Sequence, residues 1–174
     1  MNKIAAIILV IITTGLLAFT TIPGPGPRGT VYIIIDKSDY ELHIYDDEGW
    51  YATYPVVFGN KSQGDKLMEG DRKTPEGTFK ITSKRPHNKW NKIMLLDYPT
   101  KESWEKFNQR KAAGTIPKSA KIGGGIGIHG TWPHDELVVD DYKDWTQGCI
   151  ALRNEDMDEI YEFIQPGTKV IIRK

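Results

Sequence analysis

The sequence predicts a mainly-β fold of the sandwich or barrel type, with about two peripheral helices. Three observations lead to this prediction. Short β-branched or alternating runs follow one another closely, with turn residues between them. Only two stretches have the apolar spacing of an amphipathic helix. Strands and helices do not alternate along the chain, so a doubly wound parallel sheet is not expected.

The predicted strands are short, and polar turns separate the first three. Close succession with short turns favours an antiparallel meander. A polar, glycine-containing loop over 59–70 precedes the fourth strand. The predicted strands cover residues 31–35, 40–45, 50–58, 78–82, 90–96, 126–129 and 169–173.

Two helices are predicted in the second half of the chain. In the first, over 102–113, apolar residues recur at helical spacing, and Gly114 follows as a stop. The second begins at Asn154, which we expect to be its N-cap because acidic residues follow in the first turn. It ends before Pro166.

The N-terminal segment is expected to lie outside the folded domain. An apolar run over 4–19 is long for a signal sequence and slightly short for a spanning helix of about 20 residues. We therefore interpret residues 1–21 as an export signal, either cleaved or kept as a membrane anchor. A buried helix of a cytosolic domain is disfavoured because no amphipathic face is present. Residues 22–30, rich in proline and glycine, form a linker, and the domain is predicted over 31–173.

The composition gives no reason to expect a nucleic-acid partner. Of the 174 residues, 39% are hydrophobic and 26% are charged, as in an ordinary globular domain. The 23 Lys and Arg residues balance the 23 Asp and Glu residues. Binding to nucleic acid needs a basic surface. A partner that is small, mixed in charge or zwitterionic is therefore expected, and membrane contact only through the N-terminal segment.

Cys149 is the only cysteine in the chain. Exported proteins use cysteines in pairs for disulfides, so an unpaired one needs an explanation. It could be a small buried apolar residue, form an intermolecular disulfide, or be a functional thiol. His129, on a preceding segment, favours the last interpretation, because an imidazole that takes the thiol proton creates an activated nucleophile.

The residues around this pair have plausible supporting roles. The Nδ1 atom of His129 needs an acceptor, and a backbone carbonyl near Gly130 is the expected one because no acidic third member is evident. Backbone N–H groups around Gln147 and Gly148 could point at a developing oxyanion. Thr146 could brace the loop or the imidazole through its hydroxyl.

Two structural alternatives remain for the same residues. The first is a buried cysteine beside a core histidine, since this spacing often occurs by chance. The second is a zinc site formed by His129, His134 and Cys149. The zinc alternative is disfavoured because the paired ligand spacing of zinc sites is missing. We therefore expect no metal and no cofactor.

The motif around these residues resembles a known family. His129-Gly130, a spacer, and then 146–154 with sequence TQGCIALRN are similar to the signature of the L,D-transpeptidase catalytic domain of the YkuD type. The segment at 74–79, TPEGTF, resembles a second family motif. The resemblance covers nearly all of the predicted domain. It implies a mainly-β sandwich, in agreement with the strand pattern.

The resemblance also implies a reaction. In the family, the cysteine attacks a peptidoglycan stem peptide between the L-centre of a diamino acid and the following D-alanine, and an amine resolves the thioester. Carried over, Cys149 is the nucleophile and His129 the general base and acid. Gly148 and Cys149 supply oxyanion N–H groups, and Thr146 supports the loop. The implied partners are stem peptides and, as a further option, a wall-attached protein, in a bacterial cell envelope.

Two positions depart from the family pattern. Gln147 stands where members often have a second histidine, and Ala151 where many have an arginine that helps to hold the substrate. If residues 149–153 are extended, Cys149 and Arg153 lie on one face. We therefore expect Arg153, or a basic residue of a loop, to replace the missing guanidinium.

The loop at 131–145 has two possible roles. It carries Trp132 and Trp145, which could form one wall of the substrate groove. Alternatively it is a solvated loop with its aromatic side chains packed beneath. If it is functional, its acids could attract a cationic amine acceptor; they are Asp135, Glu136, Asp140 and Asp141.

The sequence leaves three functions open. The first is a peptidoglycan transpeptidase. The second is a hydrolase on the same scaffold, either an L,D-carboxypeptidase or an amidase that frees wall-linked protein. The third is a non-catalytic wall-binding module, which the presence of both catalytic residues disfavours.

Overall fold

The computed structural model of the chain describes residues 26–132, 135 and 137–174. The predicted signal or anchor at 1–21 and the first part of the predicted linker lie outside these residues. Within the described part of the chain, no helix has the length and apolar character needed to cross a membrane.

Across the described residues the fold is mainly β, as predicted, with eight strands and three helices. The strands and helices, in chain order, are β1 Tyr32–Asp36, β2 Glu41–Asp46, β3 Gly49–Pro55, β4 Gly77–Pro86, β5 Lys92–Leu96, α1 Lys101–Ala112, β6 Gly127–His129, α2 Leu137–Asp140, β7 Ile150–Ala151, α3 Asn154–Phe163 and β8 Lys169–Arg173.

One sheet contains all of these strands, in the order β3-β2-β1-β8-β4-β5-β6-β7. The predicted antiparallel meander of the first three strands is confirmed. Two neighbouring pairs, β1 with β8 and β6 with β7, are parallel, which the local pattern did not predict. The third strand was predicted to run to residue 58 but ends at Pro55, which agrees with the poor fit of proline inside a strand ladder.

The two ends of the sheet meet through an isolated bridge. Val57, just after β3, exchanges two backbone hydrogen bonds of 2.9 Å with Ala151 of β7. The sheet therefore curls until its first and last strands touch. Ala151 and Val57 are fully buried there, together with Val139 of α2. This closure fixes the strand that follows Cys149.

The core lies on the concave side of the curled sheet. Alternate residues of the strands point inward, as the two-residue period of a strand requires. Helix α3 contributes Met157 and Ile160 to the same hydrophobic cluster, and both are fully buried. The inward residues of the central strands are Ile33, Ile35, Leu42, Ile44, Val170 and Ile172.

Two details of the helices differ from prediction. The N-cap of α3 is Arg153, without a side-chain capping hydrogen bond, rather than Asn154. The Asn154 side chain instead accepts a hydrogen bond from the backbone N–H of Thr131 at 2.9 Å, so a tertiary contact takes the place of the cap. Helix α2 lies in the stretch predicted to be loop, where burial of Val139 stabilises it.

The packing predicts a clear difference between adjacent positions of β1. Ile33 is fully buried, whereas Ile34 on the opposite face is only half-buried. Ile33→Ala should lower the free energy of unfolding by about 2–5 kcal/mol, because it removes core contacts and leaves a cavity. Ile34→Ala should cost less than half as much. Urea unfolding followed by tryptophan fluorescence measures both, and equal losses would contradict this assignment of the core face.

Candidate active site

Parallel pairing of β6 and β7 sets side by side the two segments that carry the predicted catalytic residues. In this register His129 lies opposite Ala151, and Cys149 directly precedes β7. The Cys149 sulfur lies 3.5 Å from the carbonyl oxygen of Gly125, at the approach to β6.

A short hydrogen bond fixes the His129 ring. The side chain is 1% exposed, and its Nδ1 atom lies 2.7 Å from the carbonyl oxygen of Gly130. A carbonyl can only accept, so Nδ1 carries the proton and Nε2 is left as the basic nitrogen. The orienting acceptor is thus the backbone carbonyl that the sequence predicted.

The backbone around His129 is also fixed. Gly130 donates its N–H to the carbonyl of Trp90 at 3.2 Å, and the Thr131 N–H donates to the Asn154 side chain. A Cβ atom at Gly130 would lie 2.3 Å from the Asn154 side-chain oxygen. Only glycine therefore allows this approach. Asn154, predicted as a helix cap, instead holds the segment that carries the histidine.

Aromatic rings enclose the imidazole. Trp90 stacks on it with ring centroids 4.6 Å apart, and Trp145 packs against it at 5.4 Å. His87 stacks on the other side of Trp90 at 4.4 Å, and Trp132 contacts Trp145 at 3.9 Å. Sequence reasoning missed Trp90 and His87, because only the pairing of β5 with β6 reveals their position.

Burial sets the charge of His129. It lowers the pKa of the imidazole from 6.5 to about 4, although the hydrogen bond to Gly130 opposes the change and the nearby His87 adds slightly to it. The ring is therefore neutral at pH 7. A neutral imidazole with a free Nε2 can accept a proton from a thiol.

Cys149 is also neutral in the resting site. Burial raises the pKa of its half-buried thiol, against the lowering effects of the Gly127 N–H and the Lys66 ammonium. The thiol donates its hydrogen bond to the Gly125 carbonyl, not to His129. The resting state is thus a neutral thiol and a neutral base, with the thiol hydrogen-bonded to the Gly125 carbonyl.

Thr146 braces the loop of residues 146–149, which we call the nucleophile loop because it ends at Cys149. Its hydroxyl donates to the Cys149 carbonyl at 2.8 Å and accepts from the Gly148 N–H at 3.1 Å. The bracing role predicted for Thr146 therefore has a structural basis in the loop. The second bond occupies the Gly148 N–H, which the sequence predicted as an oxyanion donor. Gln147, between them, is exposed.

Gly148 is required by its backbone conformation and its surroundings. Its φ is +119°, a region that residues with a side chain rarely adopt. A Cβ atom there would lie 2.6 Å from the Lys73 carbonyl oxygen and 3.3 Å from the Ile126 side chain. The loop before Cys149 can therefore pack this closely only because residue 148 is glycine.

A cavity of about 330 Å³ opens beside the nucleophile loop. Its walls combine one buried cation, one acid, the exposed amide of Gln147 and four small or apolar residues; they are Lys66, Glu69, Gly70, Gly123, Gly124, Ile126 and Gln147. The lining thus carries charges of both signs.

Comparison with known proteins identifies the family. The model of the L,D-transpeptidase catalytic domain, YkuD, matches residues 30–172. The chain belongs to this family. The match covers almost all of the described residues, in agreement with the resemblance of the sequence motifs.

Individual relatives place the chain within the L,D-transpeptidase fold. YqjB of Bacillus subtilis (strain 168), provisionally named an L,D-transpeptidase, is 28% identical over 148 residues, which are 83% of this chain and 72% of YqjB. The cell shape determining protein Pgp2 of Campylobacter jejuni is 26% identical, with a TM-score of 0.58 over 83% of this chain and 48% of Pgp2. An L,D-transpeptidase of Mycobacterium smegmatis, at 18% identity and a TM-score of 0.50, shares the fold over 83% of this chain and 58% of its own. The chain thus spans about half of the length of Pgp2.

Arg153 does not have the environment predicted from strand parity. The strand after Cys149 ends at Ala151, and Arg153 instead caps helix α3. Its guanidinium forms an ion pair with Asp140 and lies 3.6 Å from the carboxylate of Asp156. Strand parity therefore does not place Arg153 beside the thiol, and its substrate-binding role in this L,D-transpeptidase domain stays a prediction.

The acidic loop is more neutral than its sequence indicates. Asp140 is paired with Arg153, and Asp141 with Lys143 at 2.7 Å. Asp135 is exposed, and Glu136 lies outside the described residues. Attraction of a cationic acceptor by these acids is weakened accordingly. Trp145 serves first as packing for His129, and substrate contact by Trp132 or Trp145 stays a prediction.

The described residues contain no group of three or more His, Cys, Asp or Glu side chains that could hold a metal ion. His134, the third ligand of the zinc alternative, lies outside these residues.

The pKa of His129 predicts a dependence of stability on pH. Its pKa is about 4 in the folded chain, below the ordinary value of 6.5, so the unfolded chain binds the proton first as pH falls. The contribution to stability is complete above pH 6.5 and is lost between there and about pH 4, amounting to about 3 kcal/mol. His129→Gln should remove this component of the pH dependence of urea unfolding, whereas His43→Gln should keep it. Parallel curves for the wild type and His129→Gln would contradict the burial argument.

Gly148 predicts a second measurable difference. Gly148→Ala should lower the free energy of unfolding by about 1–3 kcal/mol and slow alkylation of Cys149, because both φ and the Lys73 carbonyl oppose the new side chain. Gly114→Ala is the matched control, since Gly114 also has a positive φ, +71°, but has open space around it. It should cost only about 1 kcal/mol. Alkylation at the wild-type rate in Gly148→Ala would show that the close packing is unimportant.

Proposed function

We propose that the chain is a cysteine-dependent peptidoglycan L,D-transpeptidase, exported to a bacterial cell envelope and acting in cell-wall cross-linking. One observation carries the proposal. The imidazole of His129 is neutral, its Nδ1 is bound to the Gly130 carbonyl, and it lies on β6, whose parallel partner β7 directly follows the lone thiol. Family membership makes a peptidoglycan stem peptide the substrate class.

The proposed reaction has two acyl-transfer steps. His129 Nε2 takes the thiol proton, and the Cys149 sulfur attacks the carbonyl carbon at the L-centre of the diamino acid. The C–N bond breaks, D-alanine leaves with the proton returned by His129, and a thioester remains on Cys149. An amine then attacks the thioester and gives its proton to His129, which returns it to the leaving thiolate. The products are an amide cross-link and the original thiol.

The supporting residues have proposed roles that follow from their contacts. Thr146 keeps the nucleophile loop in one conformation through its two hydrogen bonds. Since the Gly148 N–H is occupied by Thr146, the backbone N–H groups of Cys149 and Gln147 are the proposed oxyanion donors. The exposed side chain of Gln147 replaces the family's second histidine as a substrate contact at the cavity mouth.

A role in cell shape is part of the proposal. Pgp2, which shares 26% identity with this chain, is described as determining helical cell shape. Cross-linking or trimming of stem peptides changes how the wall is joined. The chain spans 48% of Pgp2, so we extend only the chemistry of the shared domain to it. We propose peptidoglycan stem peptides as its partners and, as a second option, a wall-attached protein.

Hydrolysis of the thioester is the second candidate function. The observation that favours it is the pairing of Asp140 and Asp141 with basic residues of the chain. Loop acids that are already neutralised attract a cationic amine weakly, so water could compete for the thioester. The enzyme would then be an L,D-carboxypeptidase or an amidase that releases wall-linked protein.

Product analysis tests the proposed function. The chain is incubated with a purified tetrapeptide stem, with and without an amine acceptor, and the products are weighed by mass spectrometry. We expect D-alanine release and a cross-linked product that needs the acceptor. Cys149→Ala should abolish both, and His129→Ala should slow them by about 10²–10⁴-fold.

His43→Ala is the control for loss of a histidine away from the site, because His43 lies on β2 and contacts Thr53. It should leave product formation unchanged. D-alanine release without any cross-linked product would support the hydrolase. Turnover by Cys149→Ala at the wild-type rate would rule out the cysteine mechanism altogether.

A further inference from the structure

The loop between β3 and β4 packs directly on the nucleophile loop. The carbonyl oxygen of Lys73 occupies the space that a side chain at Gly148 would need. Arg72 donates from Nε to the Thr146 carbonyl at 3.3 Å. Two successive residues of the β3–β4 loop therefore contact two of the four residues that end at Cys149. Any group fixed in this loop is fixed relative to the thiol.

A buried ion pair organises the same loop. The Lys66 ammonium lies 2.7 Å from the Asp71 carboxylate, with side-chain exposures of only 3% and 8%. Asp71 also accepts the backbone N–H groups of Leu67 at 2.6 Å and Lys73 at 2.9 Å. Burial raises the pKa of Asp71, but these hydrogen bonds outweigh it and the pKa lies below its usual value. The Asp71 carboxylate therefore stays ionised at neutral pH.

The position of Lys66 gives this pair a use beyond packing. Lys66 lines the cavity whose other walls include Gln147 and Ile126, on the side of the nucleophile loop. A buried charge pair is a costly way to close a loop, since desolvation offsets most of the attraction. The desolvation cost of this ion pair has a functional reason if the Lys66 ammonium also acts on the Cys149 thiol. The Lys66 charge lowers the pKa of the Cys149 thiol, against the larger effect of burial.

We propose that the buried ammonium of Lys66, held in place by Asp71, stabilises the negative charge that forms on the Cys149 sulfur. The thiol proton passes to His129 Nε2, the electron pair stays on sulfur, and the Lys66 charge favours the resulting thiolate. The role of Lys66 in turnover rests on the proposed function. Its effect on the pKa of the Cys149 thiol does not, because that effect can be measured without a substrate.

Other charged groups near the nucleophile loop also contribute to the electrostatic field at the thiol. Charged and titratable groups on the segments packed around the nucleophile loop include Lys66, Glu69, Asp71, Arg72 and Lys73 of the β3–β4 loop, His129 of β6, and Asp144 just before the nucleophile loop. Lys66 is the buried lysine among them. Removing either member of its pair changes the local field in opposite directions, whereas a loss of loop structure would change it in one direction.

The experiment measures the rate of iodoacetamide alkylation against pH. Cys149 is the only cysteine, so the full chain reports one site. Lys66→Met should raise the thiol pKa and slow alkylation at pH 7 by about 3–10-fold, the size expected for loss of a nearby charge. Asp71→Asn keeps an oxygen acceptor for the backbone but leaves Lys66 unneutralised, so it should lower the thiol pKa and speed alkylation.

Two further variants separate charge from structure. Lys66→Arg should restore most of the alkylation rate lost in Lys66→Met. Lys118→Met removes an exposed lysine from the loop before β6 and should leave the pH profile unchanged. Shifts of the thiol pKa in the same direction in Lys66→Met and Asp71→Asn, or no shift in either, would overturn the proposal.

If Lys66→Met does not fold, Asp71→Asn decides alone, and an unchanged or raised thiol pKa overturns the inference. Alkylation needs no stem peptide, so this outcome is independent of the proposed function. If the variants show the predicted alkylation shifts but the wild type releases no D-alanine, the effect of Lys66 on the thiol is supported and the transpeptidase function is contradicted.

Discussion

The hydrogen bond from His129 Nδ1 to the Gly130 carbonyl is the constraint on which the site depends. It determines which ring nitrogen is basic. The residue that supplies this carbonyl must be glycine, since the Asn154 side chain occupies the space a Cβ would take. Asn154 in turn belongs to α3, which is held in the core by its buried apolar face. The fold and the base are therefore joined by one short series of contacts.

Burial gives the site its resting charge. Aromatic rings around His129 and the closed edge of the sheet remove water, which keeps imidazole and thiol neutral. The same lack of water strengthens every charge that forms during reaction. A nearby cation then has a large effect. The buried pair of Lys66 and Asp71 supplies one, in a loop that packs on the nucleophile loop through the Lys73 carbonyl.

The sequence predicts those parts of the fold that local patterns determine. Alternation of apolar residues located most strands, and the last strand agrees with its predicted bounds. The motifs located Cys149 and His129, and the lack of an acidic partner indicated the Gly130 carbonyl. The parallel pairs of strands and the bridge from Val57 to Ala151 could not be predicted, because they join residues distant in sequence.

The same limit explains two wrong residue assignments. Asn154 was assigned as a helix cap, but its side chain binds a distant loop. The prediction for Arg153 extended a strand that is only two residues long. Trp90 and Lys66 carry no local signal either, because their importance comes from what packs against them.

The protonation state of His129 in solution tests the proposed site most directly. Nitrogen-15 NMR of the histidine-labelled chain, recorded from pH 4 to pH 8 and assigned with His129→Gln, distinguishes the two neutral tautomers from the imidazolium. The burial of His129 and its hydrogen bond to Gly130 predict a neutral ring at pH 7 with the proton on Nδ1, and charging only near pH 4. A ring that carries its proton on Nε2, or one that is already charged at pH 6, would contradict the proposed role of His129 as the base.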